Sequence, residues 1–274
     1  MKKAAVYRAQ ARNSLHGRYG NLVLARVLGL LMVLVASVII VVMLMYTVVF
    51  TGASLYGRFG GGIPFSVVLM SIMIALLFLL LMATEVLLEG GNLKMAHKVF
   101  RGQETKLGDM FYGFRKKTPW RILGIGIVTG LIQLVFMIPY FVCSIRVRLN
   151  WTMTGTVLLV LSWLLFLAAS VAISLFLGLA LYVLIDCPDL GAMACLRASV
   201  KLTKRRRWQL FCFHLSFIGW YILGQLSYGI GMLWIMPYIQ CATFGVYQDL
   251  KAEKEQLGIK WRPDPAAENH TAAS

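Results

Sequence analysis

Long runs of apolar residues without any charge alternate with short polar segments along the chain. A helix needs about 20 apolar residues to cross the hydrocarbon core of a bilayer, and most of these runs reach that length. Because the bilayer interior offers the backbone no water to bond with, such runs form helices. The pattern therefore predicts an all-α, polytopic membrane helical bundle. Its six predicted transmembrane helices lie near residues 27–50, 64–88, 122–142, 155–185, 208–224 and 230–247.

Two of the runs do not have the length of a single span. The fourth, Gly155–Ile185, has 31 residues without a charge. It would form a helix of about 46 Å against a hydrocarbon core of about 30 Å, so it is expected to tilt, protrude or break. The last run, Trp208–Val246, has 39 residues without Asp, Glu, Lys or Arg. Its glycines predict a turn within Gly224–Gly231, which is compatible with two short spans or with a re-entrant hairpin.

The polar segments also carry structure. Gly90–Gly91 predicts the end of the helix that forms the second span. Apolar side chains within Leu107–Phe114 recur at i, i+3, i+4 and i+7, which is typical of an amphipathic helix. This short helix is expected either to lie in the membrane interface or to pack on the protein's own cytoplasmic surface. Residues 1–26 are interpreted as a basic cytoplasmic segment, 27–250 as the membrane domain, and 251–274 as a partly disordered cytoplasmic tail.

The distribution of basic residues provides a check on the six-span arrangement. Of the 27 Lys and Arg residues, 24 fall in segments that this arrangement places on one side, namely 1–26, 89–121, 186–207 and 247–274. The opposite side holds only Arg58, Arg146 and Arg148. Since cytoplasmic loops of membrane proteins are enriched in Lys and Arg, both termini are expected in the cytoplasm.

The apolar composition of the chain changes how its net positive charge is interpreted. The chain is 59% hydrophobic and 14% charged, whereas soluble domains are about 45–50% apolar and about 25% charged. A net charge of +16 would suggest nucleic-acid binding in a soluble protein. Here the bases flank apolar runs, so anionic lipid headgroups are the expected partners and nucleic acid is not. The bases expected to contact headgroups are Arg115, Lys116, Lys117, Lys204, Arg205, Arg206 and Arg207.

Motifs for catalysis, metal binding or nucleotide binding are missing from the sequence. The four histidines have no metal-ligand spacing, and no nucleophile-elbow, Walker or dinucleotide motif occurs. The prediction is a protein that is not an enzyme and holds no cofactor or metal. Polar side chains inside membrane spans are candidates for function, and here they are His214, Gln225, Gln133 and Gln240. Small residues expected to pack helices together are Gly126, Gly130, Ser170, Ser174 and Gly178.

Three ionisable residues near the spans have simpler interpretations. Glu85 is near the cytoplasmic end of the second span, within reach of water. Asp186 precedes Pro188 and is interpreted as the cap of a following helix. His214 is either a functional contact or a hydrogen-bonded packing residue.

The C-terminal block resembles a bacterial family of uncharacterised integral membrane proteins, the domain-of-unknown-function family nine-seventy-five. The resemblance is carried by Leu215–Trp220 (LSFIGW), Gly229–Gly231 and Pro237–Tyr238, and at the N-terminus by Ala11–Gly17. The chain departs from the family's pattern at Lys204–Arg206, where a basic run replaces a glycine-containing turn. The resemblance implies a multi-span bacterial membrane protein and supplies no activity.

Two functions remain open from the sequence. The favoured hypothesis is a non-enzymatic accessory or regulatory protein that acts through lipids, a protein partner or a homo-oligomer, because its cytoplasmic segments are basic and partly amphipathic. The alternative is a small transporter or permease for an uncharged or apolar solute, suggested by spans interrupted by Gly and Pro. Both hypotheses place the chain in the bacterial cytoplasmic membrane.

Overall fold

The computed structural model describes residues 4–55, 65–115, 118–259 and 261–262. Within these ranges the chain is helical and forms no strand, so the all-α prediction is confirmed. The helices are α1 (Ala4–Leu15), α2 (Tyr19–Leu55), α3 (Phe65–Phe100), a 3-10 helix (Leu107–Phe114), α4 (Thr118–Leu149), α5 (Met153–Leu177), α6 (Ala180–Asp186), α7 (Ala192–Thr203), α8 (Arg207–Leu215), α9 (Ile218–Leu226) and α10 (Met232–Gln256).

Four helical segments in the described ranges are long and apolar enough to cross a bilayer. They are Tyr19–Gly52, Phe65–Phe100, Thr118–Leu149 and Met153–Asp186. The last combines α5 and α6, which are separated at Gly178, so the overlong fourth run does break as expected. The predicted count of six is not confirmed, because the final apolar block divides into the nine-residue helices α8 and α9 and the start of α10.

The four long segments expose their apolar side chains. Val42 is 63% exposed, Leu79 is 67% exposed and Val135 is 61% exposed, and many neighbours on the same helices are similar. Exposing this apolar surface to water would cost about 25 cal/mol of free energy per Å². Soluble monomers rarely expose a contiguous apolar patch larger than a few hundred Å². Lipid tails solvate these side chains without that cost, which makes this part of the protein membrane-embedded.

The other end of the molecule is packed like a soluble domain. It comprises α1, Leu87–Phe100 of α3, α6, α7 and residues 240–256 of α10, and we call it the packed end. Its largest fully buried side chains include Tyr7, Phe244 and Tyr247. The hydroxyl of Tyr7 donates to Asp249 Oδ2 at 2.6 Å, so the N-terminal segment is joined to α10.

Gly90 and Gly91 do not end the helix, and that prediction is wrong. Helix α3 continues through both of them to Phe100. A Cβ atom at Gly91 would lie 1.7 Å from the backbone oxygen of Met110, and one at Gly113 would lie 2.2 Å from the backbone oxygen of Leu87. The glycines are therefore used for close backbone approach, which lets the 3-10 helix pack directly on α3.

The predicted amphipathic segment forms this 3-10 helix, which packs on the protein's own surface, whereas its position in the membrane interface stays a prediction. Met110 is 1% exposed against α3, whereas Phe111 and Phe114 remain 48% and 43% exposed. One side thus packs on the protein's own surface while two aromatic rings point outward.

Asp186 does not cap a following helix, as its position before Pro188 suggested. It is the last residue of α6, and its side chain is only 4% exposed. Its carboxylate accepts hydrogen bonds from Arg101 at 2.7 Å, Lys251 at 2.6 Å and Tyr247 at 3.0 Å. Arg101 directly follows α3, and Lys251 and Tyr247 lie in α10, so Asp186 at the end of α6 joins these segments of the packed end.

Beyond α10, the described part of the predicted tail returns to the packed end. Trp261 is 5% exposed, and Lys251 Nζ lies 5.6 Å from its ring centroid. The remainder of the predicted tail, residues 263–274, lies outside the described residues.

The segments α8, α9 and the first turns of α10 form an antiparallel hairpin (Arg207–Ile239), which we call the C-terminal hairpin. The rings of Phe217 and Tyr238 are 5.8 Å apart across it. Near its tip Gly224 meets Met232, where a Cβ atom would lie 2.9 Å from the Met232 sulfur. At the tip itself Tyr228 is 99% exposed with φ 52°.

Candidate functional site

A cavity of about 790 Å³ lies between the long helices and the C-terminal hairpin. Small-molecule sites usually measure about 300–1,000 Å³, so this volume is in the range of a binding site. Its wall is mostly apolar and includes Val33 of α2, Ile125 of α4, Ile173 of α5 and Leu233 of α10. Three of those helices, α2, α4 and α5, belong to the four long apolar segments.

Three polar side chains of α3 line the cavity along one helical face. Glu85, Glu89 and Asn92 are spaced i, i+4 and i+7, which places them in one stripe on a 3.6-residue helix. The stripe spans about 10 Å at 1.5 Å per residue. The cavity therefore has a polar edge on α3 and an apolar wall elsewhere.

The middle residue of this stripe is fully engaged by the protein. Arg26 Nη1 lies 2.9 Å from Glu89 Oε2, and Arg26 Nη2 donates to Glu89 Oε1 at 3.3 Å. Gln240 Nε2 of α10 donates to the same Oε1 at 2.7 Å. Because an arginine fork matches a carboxylate in this geometry, the pair holds α2, α3 and α10 at a common level.

The outer members of the stripe are not engaged in the same way. Among the described residues, Glu85 forms no ion pair, and its side chain is exposed in the cavity wall. Asn92 is 8% exposed, and its Oδ1 is buried without a hydrogen-bond partner in the described part of the chain. The Nε of Arg26 is likewise buried without a described partner. Buried polar atoms without a hydrogen-bond partner are uncommon in folded proteins, and each one calls for an explanation.

The opposite wall, formed by α4 and α5, carries weaker polar groups. Gln133 Nε2 of α4 donates to Ser170 Oγ of α5. The hydroxyl groups of Thr129 and Ser174 bond to carbonyl oxygens of their own helices. These groups are satisfied within the bundle, so the wall offers little to a polar ligand.

Two of the four predicted intramembrane polar residues come together at this cavity. Gln133 lines it, and Gln240 is bonded to its edge through Glu89. His214 and Gln225 are not among the lining residues. The ring of His214 instead lies 5.4 Å from the ring of Phe213 on the same helix, and Gln225 is exposed near the hairpin tip.

Most of the residues predicted to pack helices together line the cavity. Gly126, Ser170, Ser174 and Gly178 all line it. A Cβ atom at Gly126 would lie 3.0 Å from Val86 Cγ1 on α3. A Cβ atom at Gly130 would have no neighbour within 4 Å, so the expected contact is not formed at that position.

The predicted headgroup-contacting bases are used in different ways. Lys204 and Arg205 are exposed. Arg206 is bonded to Glu253 Oε1 through Nη2 at 2.7 Å and through Nε at 2.9 Å, and the guanidinium of Arg207 lies 3.9 Å from the Phe176 ring centroid. These last two bases therefore fasten the start of the hairpin to α10 and α5.

Arg115, the remaining predicted headgroup-contacting base in the described residues, is exposed at the end of the 3-10 helix. Lys116 and Lys117 lie outside the described residues. The lipid contact of all these bases stays a prediction.

Two acidic residues, one in the packed end and one in the 3-10 helix, are held by bases. The hydrogen bond from Arg206 lowers the pKa of Glu253. Burial by itself raises the pKa of Asp109, but the hydrogen bond from Lys98 Nζ and the backbone N–H of Lys106 outweigh it, so that pKa is lowered. Both carboxylates are therefore charged at neutral pH and act as structural anchors.

Sequence analysis did not single out Arg26, Glu89 or Asn92. A signal for part of the site was present, since Glu85, Glu89 and Asn92 have helical spacing within one run. The Arg26 partner carried no such signal, because it is 63 residues away. No group of three or more His, Cys, Asp or Glu that could hold a metal occurs in the described residues.

Comparison with known proteins provides a family and no function. Residues 1–254 match the family described as protein of unknown function (DUF975). No curated protein matches the chain, and no solved structure matches it.

Proposed function

We propose that this chain, which belongs to the DUF975 family of proteins of unknown function, is a non-enzymatic accessory or regulatory membrane protein that binds a membrane lipid between its long helices. The observation that carries the proposal is the cavity of about 790 Å³ with an apolar wall and a polar edge. An amphiphile has the same division between tail and headgroup. Binding of a lipid at this position would link membrane composition to the packed end, where a protein partner or a second copy would respond.

The proposed location is the bacterial cytoplasmic membrane, with both termini in the cytoplasm. The concentration of 24 of 27 basic residues on one side of the chain supports this orientation. The packed end then faces the cytoplasm, because it contains both α1 and the end of α10. Trp120 and Trp208, 80% and 73% exposed, fit the membrane interface, where such rings are enriched.

The proposed topology is four spans and a re-entrant C-terminal hairpin in place of the fifth and sixth predicted spans. Gln240 is level with Glu89, to which it is bonded. From there α10 extends eight residues to Met232, or about 12 Å, whereas α3 extends 24 residues to Phe65, or about 36 Å. A hairpin of that reach ends inside a hydrocarbon core of about 30 Å.

The depth of the hairpin tip supports the same topology. Gly229 at the tip lines the cavity together with Gln133, which is near the middle of α4 (Thr118–Leu149). Non-helical backbone is tolerated at membrane depth when it lines a cavity. A re-entrant hairpin also keeps the C-terminus on the same side as the N-terminus, so the orientation is unchanged.

Cysteine labelling distinguishes the two topologies. Tyr228→Cys would be placed in a background where Cys143 and Cys212, the cysteines that are not buried, are replaced by Ala. A membrane-impermeant maleimide added to intact cells should leave Tyr228→Cys unlabelled and should label Asn150→Cys in the α4–α5 connection. Labelling of both from outside would establish two complete spans and refute the re-entrant hairpin.

Lipid occupancy of the cavity is tested by filling it. Val33→Trp adds a large ring to the cavity wall, whereas Val35→Trp adds the same ring to the outer face of α2, where Val35 is 58% exposed. The full chain would be purified in a mild detergent and its retained lipid quantified by mass spectrometry. Val33→Trp should retain less lipid than the native chain, and Val35→Trp should not. Equal retention by all three would remove the cavity as the lipid site.

The second candidate function is a small permease for an uncharged or apolar solute. Pro139 inside α4 supports it, because interrupted helices often surround transport sites. A permease would require the cavity to open alternately on both sides. Solute flux into proteoliposomes that is abolished by Val33→Trp and kept by Val35→Trp would favour transport over accessory binding.

A further inference from the structure

The polar edge of the cavity indicates which headgroup it accepts. We infer that the cavity selects an amphiphile whose headgroup carries a primary ammonium group, bound at Glu85. This inference rests on the proposed lipid-binding function and deepens it. It depends on the uncompensated charge of the cavity edge and on the hydrogen-bond donors that a carboxylate requires.

The charges of the lining residues favour a cation. Arg26, Glu85 and Glu89 are the charged residues that line the cavity in the described part of the chain. Arg26 and Glu89 neutralise each other through two contacts, at 2.9 and 3.3 Å. Glu85 is left as one uncompensated carboxylate in an apolar surround, where a cation is attracted and an anion is repelled.

The chemistry of Glu85 favours a hydrogen-bond donor, because an ionised carboxylate is an acceptor only. Asn92 does not share the same ligand nitrogen, since it is seven residues, or about 10 Å, from Glu85 along α3 and its unpartnered Oδ1 is buried. A primary ammonium has three donors and no acceptor, so it complements Glu85 better than a hydroxyl, which has one donor.

The same reasoning disfavours two common headgroups. A quaternary ammonium carries the positive charge but no N–H, so it would balance the charge of Glu85 without donating a hydrogen bond to its carboxylate. A glycerol headgroup on a phosphate is anionic and would face Glu85 directly. The preferred order is therefore ethanolamine, then choline, then glycerol, for lipids with the same tails.

Two sources carry the required chemistry, a membrane aminophospholipid and a free long-chain amine. An aminophospholipid also has a phosphate, which would be attracted to the guanidinium of Arg26 in the cavity lining. A long-chain amine lacks that phosphate. Preference for phosphatidylethanolamine over an alkylamine of equal tail length would identify the phospholipid as the source, and the reverse would identify the free amine.

Lipid titration of the purified full chain, followed by native mass spectrometry, tests the inference. The probes are phosphatidylethanolamine, phosphatidylcholine and phosphatidylglycerol with identical acyl chains. A charge-assisted hydrogen bond contributes about 1.5–3 kcal/mol, so phosphatidylethanolamine should bind roughly tenfold or more tightly than the others. Glu85→Gln should remove this preference. Glu104→Gln, which removes the same charge from an exposed position outside the cavity, should keep it.

The outcomes separate the headgroup inference from lipid binding itself. If the three lipids bind equally and Val33→Trp weakens them all, the cavity binds lipid but the ammonium preference is refuted. If Val33→Trp weakens none of them, the proposed lipid site is refuted as well. If Glu85→Gln and Glu104→Gln reduce the preference equally, the effect is one of general charge and the assignment to Glu85 is refuted.

Discussion

The backbone contact between α3 and the 3-10 helix leads to a quantitative prediction. Gly91 in α3 faces the backbone of Met110, and a Cβ atom at that position would lie 1.7 Å from its oxygen, 2.5 Å from its carbonyl carbon and 3.0 Å from its Cα. An ordinary contact begins near 3.4 Å, so Gly91→Ala requires the 3-10 helix to move away by about 1.7 Å. No side-chain rotation can relieve the clash, because the obstructing atoms are backbone.

The cost of Gly91→Ala follows from two opposing effects. Overpacking a tight contact costs about 1–3 kcal/mol, and a backbone obstacle places this case near the upper end. Replacing Gly by Ala inside a helix contributes about 1 kcal/mol in the opposite direction. The net expectation is a loss of about 2 kcal/mol, or a melting temperature lower by roughly 4–8 °C for a chain of this size.

The assay is thermal unfolding of the detergent-purified chain, followed by loss of the monodisperse peak in size-exclusion chromatography. Gly130→Ala is the matched control, because it lies in α4 and a Cβ atom there would have no neighbour within 4 Å. It should keep or raise the melting temperature. A Gly91→Ala variant as stable as Gly130→Ala would refute the close backbone approach of the 3-10 helix to α3.

Three further outcomes are expected at charged residues outside the cavity. Asp186→Asn removes the charge that balances Lys251 and should destabilise the chain by about 3 kcal/mol, measured by the same thermal assay. The hydrogen bond from Arg206 lowers the pKa of Glu253, so this pair stabilises the fold at neutral pH. The stabilisation should be lost as the pH falls from the ordinary pKa of glutamate through the lowered pKa of Glu253. Glu253→Gln should therefore show a shallower loss of melting temperature with acid than the native chain, and an equal loss would contradict the role of the pair. Lys204→Gln, at an exposed position, should reduce retention of phosphatidylglycerol through purification without changing the melting temperature; unchanged retention would argue against a headgroup contact there.

The sequence by itself determined the membrane class and the long helices. Charge-free runs such as Val27–Phe50 predict membrane-spanning helices by themselves, because a helix needs only sufficient length and apolarity to cross the bilayer. The side expected to face the cytoplasm also follows from the positions of Lys and Arg alone. Periodicity within Leu107–Phe114 located the amphipathic segment, although it did not determine that the segment packs on α3 as a 3-10 helix.

The tertiary structure alone decided the use of glycine, the reach of the hairpin and the composition of the cavity. Glycine often follows the last residue of a helix, so the sequence predicts a helix end at Gly91. Only the close approach of the Met110 backbone explains why a glycine lies inside α3 instead. The apolar run Trp208–Val246 is by its sequence equally compatible with two spans and a hairpin, and the hydrogen bond between Gln240 and Glu89 supports the proposed hairpin. These partners are 151 residues apart. Local patterns specify which residues face the same side of one helix, whereas contacts between distant segments arise only when the helices pack.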